Sequence, residues 1–187
     1  MPLRVISGTA GGLHLQSPKR HALRPTQDRI RQVIFSSLAD VVPGAHVLDL
    51  YAGTGSFGIE ALSRGAASAT FIEKEPEAVE CIRANLAHCH LQGEAVKSDV
   101  SAYLDRPPDA PRFDLIFADP PYIKSRGPLN NEHLLRKLTP FLVSGGVFIW
   151  EHFAGGTVQN DDTSWKILRN RTYGETGLTF LTFSREK

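Results

Sequence analysis

Residues 46–58 read His-Val-Leu-Asp-Leu-Tyr-Ala-Gly-Thr-Gly-Ser-Phe-Gly, and this stretch decides the fold. The apolar strand at its start runs into a glycine-rich turn, and a helix from about Phe57 to Arg64 follows, with Gly65 as its stop signal. Glycines spaced as Gly-x-Gly-x-x-Gly let a backbone approach a ligand and let a helix pack closely on a strand. The stretch therefore predicts a nucleotide-binding turn in an α/β fold.

Strand-like and helix-like segments alternate after this turn, which indicates a mostly parallel sheet with helices on its faces. Further strands are predicted at 69–72, 95–96, 113–118 and 147–150, and a turn at Gly145-Gly146 is expected to precede the last of them. Helices are predicted from Pro76 and over about 134–141. Segments 165–168 and 178–183 have no helical pattern between them, so we expect an antiparallel C-terminal hairpin.

The first 42 residues differ in pattern from the rest, so we assign 1–42 to an N-terminal extension and 43–187 to the main domain. Segment 4–15 has glycines at its centre and predicts a small β-hairpin. Thr26 is a candidate N-cap for a helix. The apolar face of that helix would carry Ile30, Val33, Ile34 and Leu38, and the opposite face Asp28, Arg29, Arg31 and Gln32.

Charge is distributed unevenly, although 21 basic and 20 acidic side chains give a net charge of only +1. Residues 1–42 carry six basic and two acidic side chains, residues 43–123 carry six and twelve, and residues 124–187 carry nine and six. An acidic middle between basic flanks suits a small-molecule pocket beside a surface that meets a polyanion. Solvated surface charge would give the same counts.

The composition excludes a disordered, collagen-like or coiled-coil chain. Hydrophobic residues make up 41% and charged residues 22%, as in ordinary folded domains. Apolar runs are far shorter than the roughly 18 residues of a membrane span, and no signal peptide is recognisable, so we expect a cytoplasmic protein without membrane contact. Cys81 and Cys89 form no C-x-x-C pair, which indicates reduced structural thiols rather than a metal site.

Acidic residues around the turn indicate which nucleotide binds. Glu73 lies twenty residues beyond Gly53, where an acid can bind ribose hydroxyls. Asp49 precedes the glycines, where it would repel the pyrophosphate of NAD and attract the ammonium and sulfonium groups of S-adenosylmethionine. Asp99 follows the third strand and could accept from an adenine amino group or simply occupy a surface turn. The candidate cofactor-binding residues are Asp49, Gly53, Thr54, Gly55, Glu73, Lys74, Asp99 and Val100.

The segment Asp119-Pro120-Pro121-Tyr122 ends the fourth strand and supplies the candidate catalytic residues. An exocyclic amine is a poor nucleophile because its lone pair is delocalised into the ring, so acceptors for both N–H groups would activate it. The Asp119 carboxylate and the Pro120 carbonyl can accept these bonds, and the Tyr122 ring can stack on an extruded base. The tetrapeptide alone is a weak signal, but its place after a cofactor turn makes it specific.

Together these motifs resemble a known family. The order Asp-x-x-x-Gly-x-Gly, an acid after strand two and Asp-Pro-Pro-Tyr after strand four is similar to the amino-group methyltransferases of the Rossmann-like class. Segments 24–31, 47–55 and 58–66, with Tyr173-Gly174-x-Thr176, narrow the resemblance to the RsmD-type 16S ribosomal RNA guanine-N2 methyltransferases. The resemblance covers nearly the whole chain. It implies a Rossmann-like sheet, S-adenosylmethionine as methyl donor, no metal, and methyl transfer to the N2 amine of a guanine in small-subunit ribosomal RNA.

Two positions depart from the pattern of that family. Tyr51 stands where the family usually has Phe, and Gly12-Leu13-His14 replaces a glycine followed by basic residues, which weakens the hairpin as an RNA clamp. The partner would be ribosomal RNA or the assembled small subunit, and we expect the enzyme to be a monomer. The candidate RNA-binding residues are Lys19, Arg20, Arg24, Arg29, Lys124 and Arg126.

Three alternative functions each meet an objection from the sequence. A DNA adenine or cytosine amino methyltransferase has the same catalytic loop, but the chain leaves no room for a separate target-recognition domain. An NAD-dependent oxidoreductase is opposed by Asp49 and by the lack of a recognisable hydride site. A non-enzymatic ribosome-assembly binder would leave the Asp-Pro-Pro-Tyr segment unexplained.

Overall fold

The structure, a computed structural model, describes residues 3–18, 26–109, 112–121, 127–129, 132–158 and 164–184. The chain divides into two compact units, Met1–Val100 and Ser101–Lys187. The first unit contains α1 (Thr26–Ser37), β1 (His46–Leu50), α2 (Ser56–Ser63), β2 (Ser68–Glu73), α3 (Pro76–His88), β3 (Glu94–Lys97) and the first residue of α4 (Val100–Leu104). The second contains the rest of α4 and β4 (Phe113–Ala118), β5 (Gly127–Leu129), α5 (Glu132–Leu138), β6 (Leu142–Phe153), β7 (Gly156–Val158), β8 (Trp165–Tyr173) and β9 (Thr176–Phe183).

Among the described strands, seven form one mixed sheet in the order β3-β2-β1-β4-β6-β9-β8, while β5 and β7 pair separately. Strand β2 is parallel to both β1 and β3, and β4 is parallel to β6. Strand β9 is antiparallel to both β6 and β8, which gives the hairpin at the C-terminal end. The expected fold class, a mostly parallel Rossmann-like sheet with an antiparallel C-terminal hairpin strand, is confirmed.

The first strand shows why this sequence folds as the inner part of such a sheet. Val47, Leu48 and Leu50 are fully buried although they include consecutive residues, so both faces of β1 are covered. A strand buried on both faces reads as a continuous apolar run rather than an alternating one. Leu50 pairs with Ile72, and Ile72 with Val96, so the carboxyl ends of three parallel strands meet at one edge.

Strand β6 corrects one prediction. The expected turn at Gly145-Gly146 is wrong, because the strand runs without a break from Leu142 to Phe153. The glycines instead form an irregularity in the pairing with β4, whose register shifts between Phe113 and Leu115. Gly145 has a φ of 83°, a conformation that suits a bulge as well as a turn.

The sequence does not predict helix α4 or the small β5-β7 sheet, because such short elements carry little periodicity.

The N-terminal segment forms the expected hairpin. Arg4 and His14 make an antiparallel bridge, and the N–H of Val5 donates to the Leu13 carbonyl at 2.9 Å. Leu3, Val5, Ala10 and Leu15 are buried. The hairpin belongs to the same compact unit as β1, β2 and β3.

Glu60 of α2 fastens this hairpin to the unit. Its fully buried carboxylate accepts from the N–H groups of Ile6 at 2.7 Å and Ser7 at 3.0 Å and pairs with Arg64 at 2.6 Å. Arg31 is predicted on the face of α1 opposite the apolar residues, yet its side chain is buried. The Arg31 guanidinium lies 3.9 Å from Glu60 and 3.0 Å from Asp28, and it donates to the Arg4 carbonyl. The buried Glu60, the partly exposed Asp28 and a backbone acceptor compensate the burial of this charge.

The third glycine of the turn motif generates a stability prediction. A Cβ on Gly58 would lie 2.3 Å from Cε1 of Phe71, so Gly58→Ala forces α2 away from β2. We expect the variant to lose about 1–3 kcal/mol of unfolding free energy, the usual cost of overpacking. Urea denaturation measures it. In the double variant with Phe71→Leu, the loss of unfolding free energy should be smaller than the sum of the losses in the two single variants, since Phe71→Leu removes the clashing ring. Strict additivity would contradict the proposed contact.

Candidate active site

The turn between β1 and α2 has an unusual backbone. Tyr51, Gly53 and Gly55 all have positive φ, at 57°, 56° and 76°. A Cβ on Gly53 would meet nothing nearer than the Tyr51 carbonyl oxygen at 3.9 Å, whereas one on Gly55 would press on Ile82 at 3.2 Å. Gly53 therefore leaves space for a ligand beside the backbone, and Gly55 lets the turn pack on α3.

Asp49 caps the helix that follows the turn. Gly55 at the N-cap has no side chain, and the Asp49 carboxylate accepts from the N–H of Gly58 at 2.9 Å in its place. Burial raises the pKa of Asp49 to about 8, since only 2% of the residue is exposed. The hydrogen bond from Gly58 opposes the increase in pKa, and the negative charge of Glu73 adds to it. A cation beside Asp49 would relieve this cost.

Glu73 holds the other side of the turn. One carboxylate oxygen accepts from the N–H of Gly53 at 2.9 Å, and the other accepts from Lys74 at 2.8 Å and Glu75 at 2.9 Å. A carboxylate has about four acceptor positions, so one stays available to a ligand hydroxyl. The structure thus brings Gly53 and Glu73 together as the sequence predicts. It leaves the Lys74 side chain exposed, with only its backbone in this network.

Asp99 and Val100 follow β3. Asp99 is exposed, and Val100 is buried as the first residue of α4. The N–H of Ser98 donates to the Glu73 carbonyl at 3.0 Å, which fixes this connection against the end of β2. Burial and, next, the negative charge of Asp99 raise the pKa of Tyr51. The charge of Asp99 therefore disfavours ionisation of the Tyr51 phenol.

These groups fit S-adenosylmethionine. Its ammonium and sulfonium need nearby negative charge, which Asp49 and Glu73 provide in a low-dielectric setting. Its ribose needs a carboxylate acceptor, and its backbone contacts need a turn without side chains, which Gly53 supplies. The phosphates of NAD would bring further negative charge to a carboxyl that already resists ionisation.

Sequence reasoning missed Asn85, which joins two parts of the first unit. This amide is fully buried on α3 and accepts from the N–H of Gln16 at 2.7 Å. Its Nδ2 donates to the carbonyls of Gln16 and Thr54, each at 3.0 Å. Gln16 lies three residues before Lys19 and Thr54 lies in the glycine turn, so one side chain bridges the N-terminal segment and the turn. The sequence signal that could have identified Asn85 is a polar amide between Ile82 and Leu86, on the apolar face of α3.

The candidate catalytic segment lies in the second unit, directly after β4. Asp119 and Pro120 are half-buried and Pro121 is exposed. Arg29, in the first unit, is exposed. The other named candidates lie outside the described residues: Tyr122, Lys19, Arg20, Arg24, Lys124 and Arg126.

The described residues contain neither a candidate metal-binding cluster nor a membrane-spanning helix. No group of three or more His, Cys, Asp or Glu side chains in the described part of the chain could hold a metal ion. No helix within the described ranges has the length and apolar character needed to cross a membrane.

The fold and the turn define a S-adenosylmethionine-dependent methyltransferase of the Rossmann-like class. The chain belongs to the family described as Conserved hypothetical protein 95, whose model matches residues 3–182. The Ribosomal RNA small subunit methyltransferase D of Escherichia coli is 31% identical over 174 residues, 92% of this chain and 86% of the relative.

Solved structures agree with this assignment. The Escherichia coli protein yhhF superposes with a TM-score of 0.84 at 28% identity, over 100% of both chains. The 16S rRNA N2 methyltransferase RsmC of T. thermophilus, solved with AdoMet and guanosine, shares the fold with a TM-score of 0.69 at 21% identity. That match covers 89% of this chain and 45% of the other.

The raised pKa of Asp49 predicts that cofactor binding releases a proton. At pH 7 a carboxyl with a pKa of about 8 is mostly protonated, and an adjacent cation lowers that pKa. Binding of S-adenosylmethionine should therefore release close to one proton, and its affinity should rise with pH up to about 8. Calorimetry in two buffers of different ionisation enthalpy measures the release.

Asp49→Asn is the matched variant for this experiment, because an amide oxygen can still accept from Gly58. We expect it to bind the cofactor more weakly and without proton release. Equal proton release from the variant and the natural protein would show that another group titrates.

Asn85 supports a separate prediction. Asn85→Asp keeps the shape but turns a carboxylate oxygen toward the carbonyls of Gln16 and Thr54, which have then lost their donor. We expect a loss of about 1–3 kcal/mol of unfolding free energy, the cost of unsatisfied buried polar groups, and weaker S-adenosylmethionine binding. Urea denaturation and calorimetry measure the two effects. Gln92→Glu makes the same chemical change at an exposed site and should alter neither.

Proposed function

We propose that this enzyme transfers the methyl group of S-adenosylmethionine to the exocyclic N2 amine of a guanine in 16S ribosomal RNA. The observation that carries the proposal is the half-buried Asp119 at the carboxyl end of β4, followed by two prolines. The 31% identical Escherichia coli relative, whose name describes a small-subunit ribosomal RNA methyltransferase, supports the RNA substrate. Neither the DNA nor the NAD alternative gains support from the relatives.

The cofactor supplies an electrophilic methyl group on a sulfonium. Asp49 and Glu73 stabilise its positive charge, and Glu73 also binds a ribose hydroxyl. Gly53, Thr54 and Gly55 give the backbone surface against which the cofactor lies, and Lys74, Asp99 and Val100 complete the adenosine side. Preorganised groups of this kind need no rearrangement when the charge moves during the reaction.

Asp119 and Pro120 act on the amine. The Asp119 carboxylate and the Pro120 carbonyl accept from its two N–H groups, which draws the nitrogen toward tetrahedral geometry and directs its lone pair at the methyl carbon. The consecutive prolines restrict the loop, so its acceptors stay in place between turnovers. Tyr122 stacks on the guanine once the base has left its neighbours.

The N-terminal segment and the loop after β4 hold the RNA. Lys19, Arg20, Arg24 and Arg29 on one segment and Lys124 and Arg126 on the other pair with phosphates. The substrate is the RNA or the assembled small subunit, and the enzyme acts in the cytoplasm as a monomer.

Methyl transfer from labelled S-adenosylmethionine tests the function directly. Assembled small subunits, free 16S RNA and DNA are incubated in parallel, and nucleosides are then separated. We expect label in N2-methylguanosine from the subunit or the RNA. Label in N6-methyladenine or in a DNA nucleoside would contradict the proposal.

Asp119→Ala tests the catalytic role in the same assay. We expect transfer to fall by roughly a hundredfold or more, the scale for losing a preorganised acceptor at the reacting centre, with cofactor affinity changed by no more than a few fold. Asp109→Ala removes an exposed acid from the same unit and serves as the control. Normal turnover of the Asp119 variant would remove this residue from the mechanism.

A further inference from the structure

The edge strand β8 is exposed over most of its length. It ends the strand order, with β9 as its neighbour, and residues 166–172 are all exposed. Its sequence, Trp-Lys-Ile-Leu-Arg-Asn-Arg-Thr-Tyr, contains three basic side chains and no acidic one. None of these residues takes part in the proposed methyl transfer.

A bulge in β8 places the three cations on one face. The register with β9 shifts between Ile167 and Arg169, so Leu168 is an extra residue. Alternate residues of β9 share a face, and their partners on β8 share it with them. Four residues of β8 are opposite alternate residues of β9: Lys166 opposite Thr182, Arg169 opposite Phe180, Arg171 opposite Leu178 and Tyr173 opposite Thr176.

Without the bulge, Lys166 would point away from the two arginines, because Arg169 and Arg171 lie three and five positions further along the strand and side chains alternate between its faces. The extra residue therefore aligns three positive charges and an aromatic ring along one face of β8. A bulge commonly redirects a side chain in this way. We call Lys166, Arg169, Arg171 and Tyr173 the β8 cationic face.

Contacts within the hairpin hold the arginines along the strand. The Arg169 guanidinium lies over the Phe180 ring, 6.0 Å from its centroid. Arg171 donates to the Asn170 carbonyl at 3.0 Å. A guanidinium that is partly positioned loses less side-chain freedom when it binds an oxyanion.

Exposed apolar side chains mark the same strand. Among the described residues, the large hydrophobic side chains classed as exposed are Val41 at 42%, Ile167 at 38% and Leu168 at 52%. Two of these three lie at the bulge. Exposed apolar groups concentrated beside aligned charges are typical of a surface that binds another molecule.

We propose that the β8 cationic face binds the phosphate backbone of the RNA substrate, at nucleotides other than the methylated guanine. The inference rests on the proposed function, which makes RNA the polyanion that this enzyme meets. Arginine forks match phosphate oxygens, and residues two apart on a strand are about 6.6 Å apart, so Arg169 and Arg171 can contact different oxygens of one backbone. Tyr173 at the end of the face stacks on an unpaired base.

Protection of the sheet edge does not explain this arrangement. Charged side chains and bulges both discourage another strand from pairing with an edge. That function is served by charges on either face of the strand, so it does not account for the alignment of all three cations on one face. The cations also oppose pairing of β8 with the β8 of a second copy, because like charges would then be close together.

A salt titration of RNA affinity tests the proposal. The triple variant Lys166→Ala, Arg169→Ala, Arg171→Ala is compared with a control of equal charge loss in the same unit, Arg106→Ala, Arg112→Ala, Arg136→Ala, whose residues are also exposed. Each phosphate contact contributes roughly 0.7 to 0.9 to the slope of log affinity against log salt. We expect the β8 variant to lose about 2.1 to 2.7 from the slope and the control to lose almost nothing.

Two further measurements separate charge from folding. Arg169→Lys with Arg171→Lys keeps the charges and should keep the slope, whereas a merely structural role for the guanidiniums would lower stability in this variant too. S-adenosylmethionine affinity should be unchanged in every variant, which confirms that the first unit is intact.

The outcomes distinguish this proposal from the proposed function. Natural protein that places no methyl group on ribosomal RNA would contradict the function itself. Normal transfer together with equal slopes in the β8 and control variants would overturn this inference alone. Sedimentation that shows a dimer in the natural protein and a monomer in the β8 variant, with equal slopes, would assign the face to contact between copies of the chain.

Discussion

The hydrogen bond from the Gly58 N–H to the Asp49 carboxylate is the interaction on which the first unit depends. Because the N-cap of α2 is a glycine, the strand that enters the turn must supply the cap, and this joins the end of β1 to the first turn of α2. The short connection between β1 and α2 has positive φ at Tyr51, Gly53 and Gly55. The same carboxylate is buried, and this burial, with the negative charge of Glu73, raises its pKa against the opposing effect of the Gly58 hydrogen bond.

Two buried polar side chains extend this arrangement to the rest of the unit. Asn85 bonds to the Thr54 carbonyl on one side and to both backbone groups of Gln16 on the other. Glu60, in the helix that Asp49 caps, bonds to the backbone of the N-terminal hairpin. A segment that looks like an appendage in sequence is thus connected to the cofactor turn through groups that cannot lose their partners cheaply.

Local signals explain what the sequence predicts correctly. The bounds of β4 and the start of α3 at Pro76 agree with expectation because apolar runs and prolines act on their immediate neighbours. The burial of Arg31 is not predicted, because its partner Glu60 is 29 residues away and no periodicity reveals such a pair. The role of Asn85 and the bulge in β8 depend on tertiary contacts and on register with another strand, so neither is visible in the sequence alone.

The hairpin held by Glu60 has a consequence for how this enzyme can be cut, fused or recombined. A fragment starting after residue 15 would leave the buried Glu60 carboxylate without two of its donors and would expose part of α2. Removing the partners of a buried ion costs several kcal/mol of unfolding free energy. Affinity tags are therefore better carried at the other terminus. By the same reasoning, exchange of the hairpin between relatives must preserve the backbone at Ile6 and Ser7, whatever happens to the side chains along its outer edge.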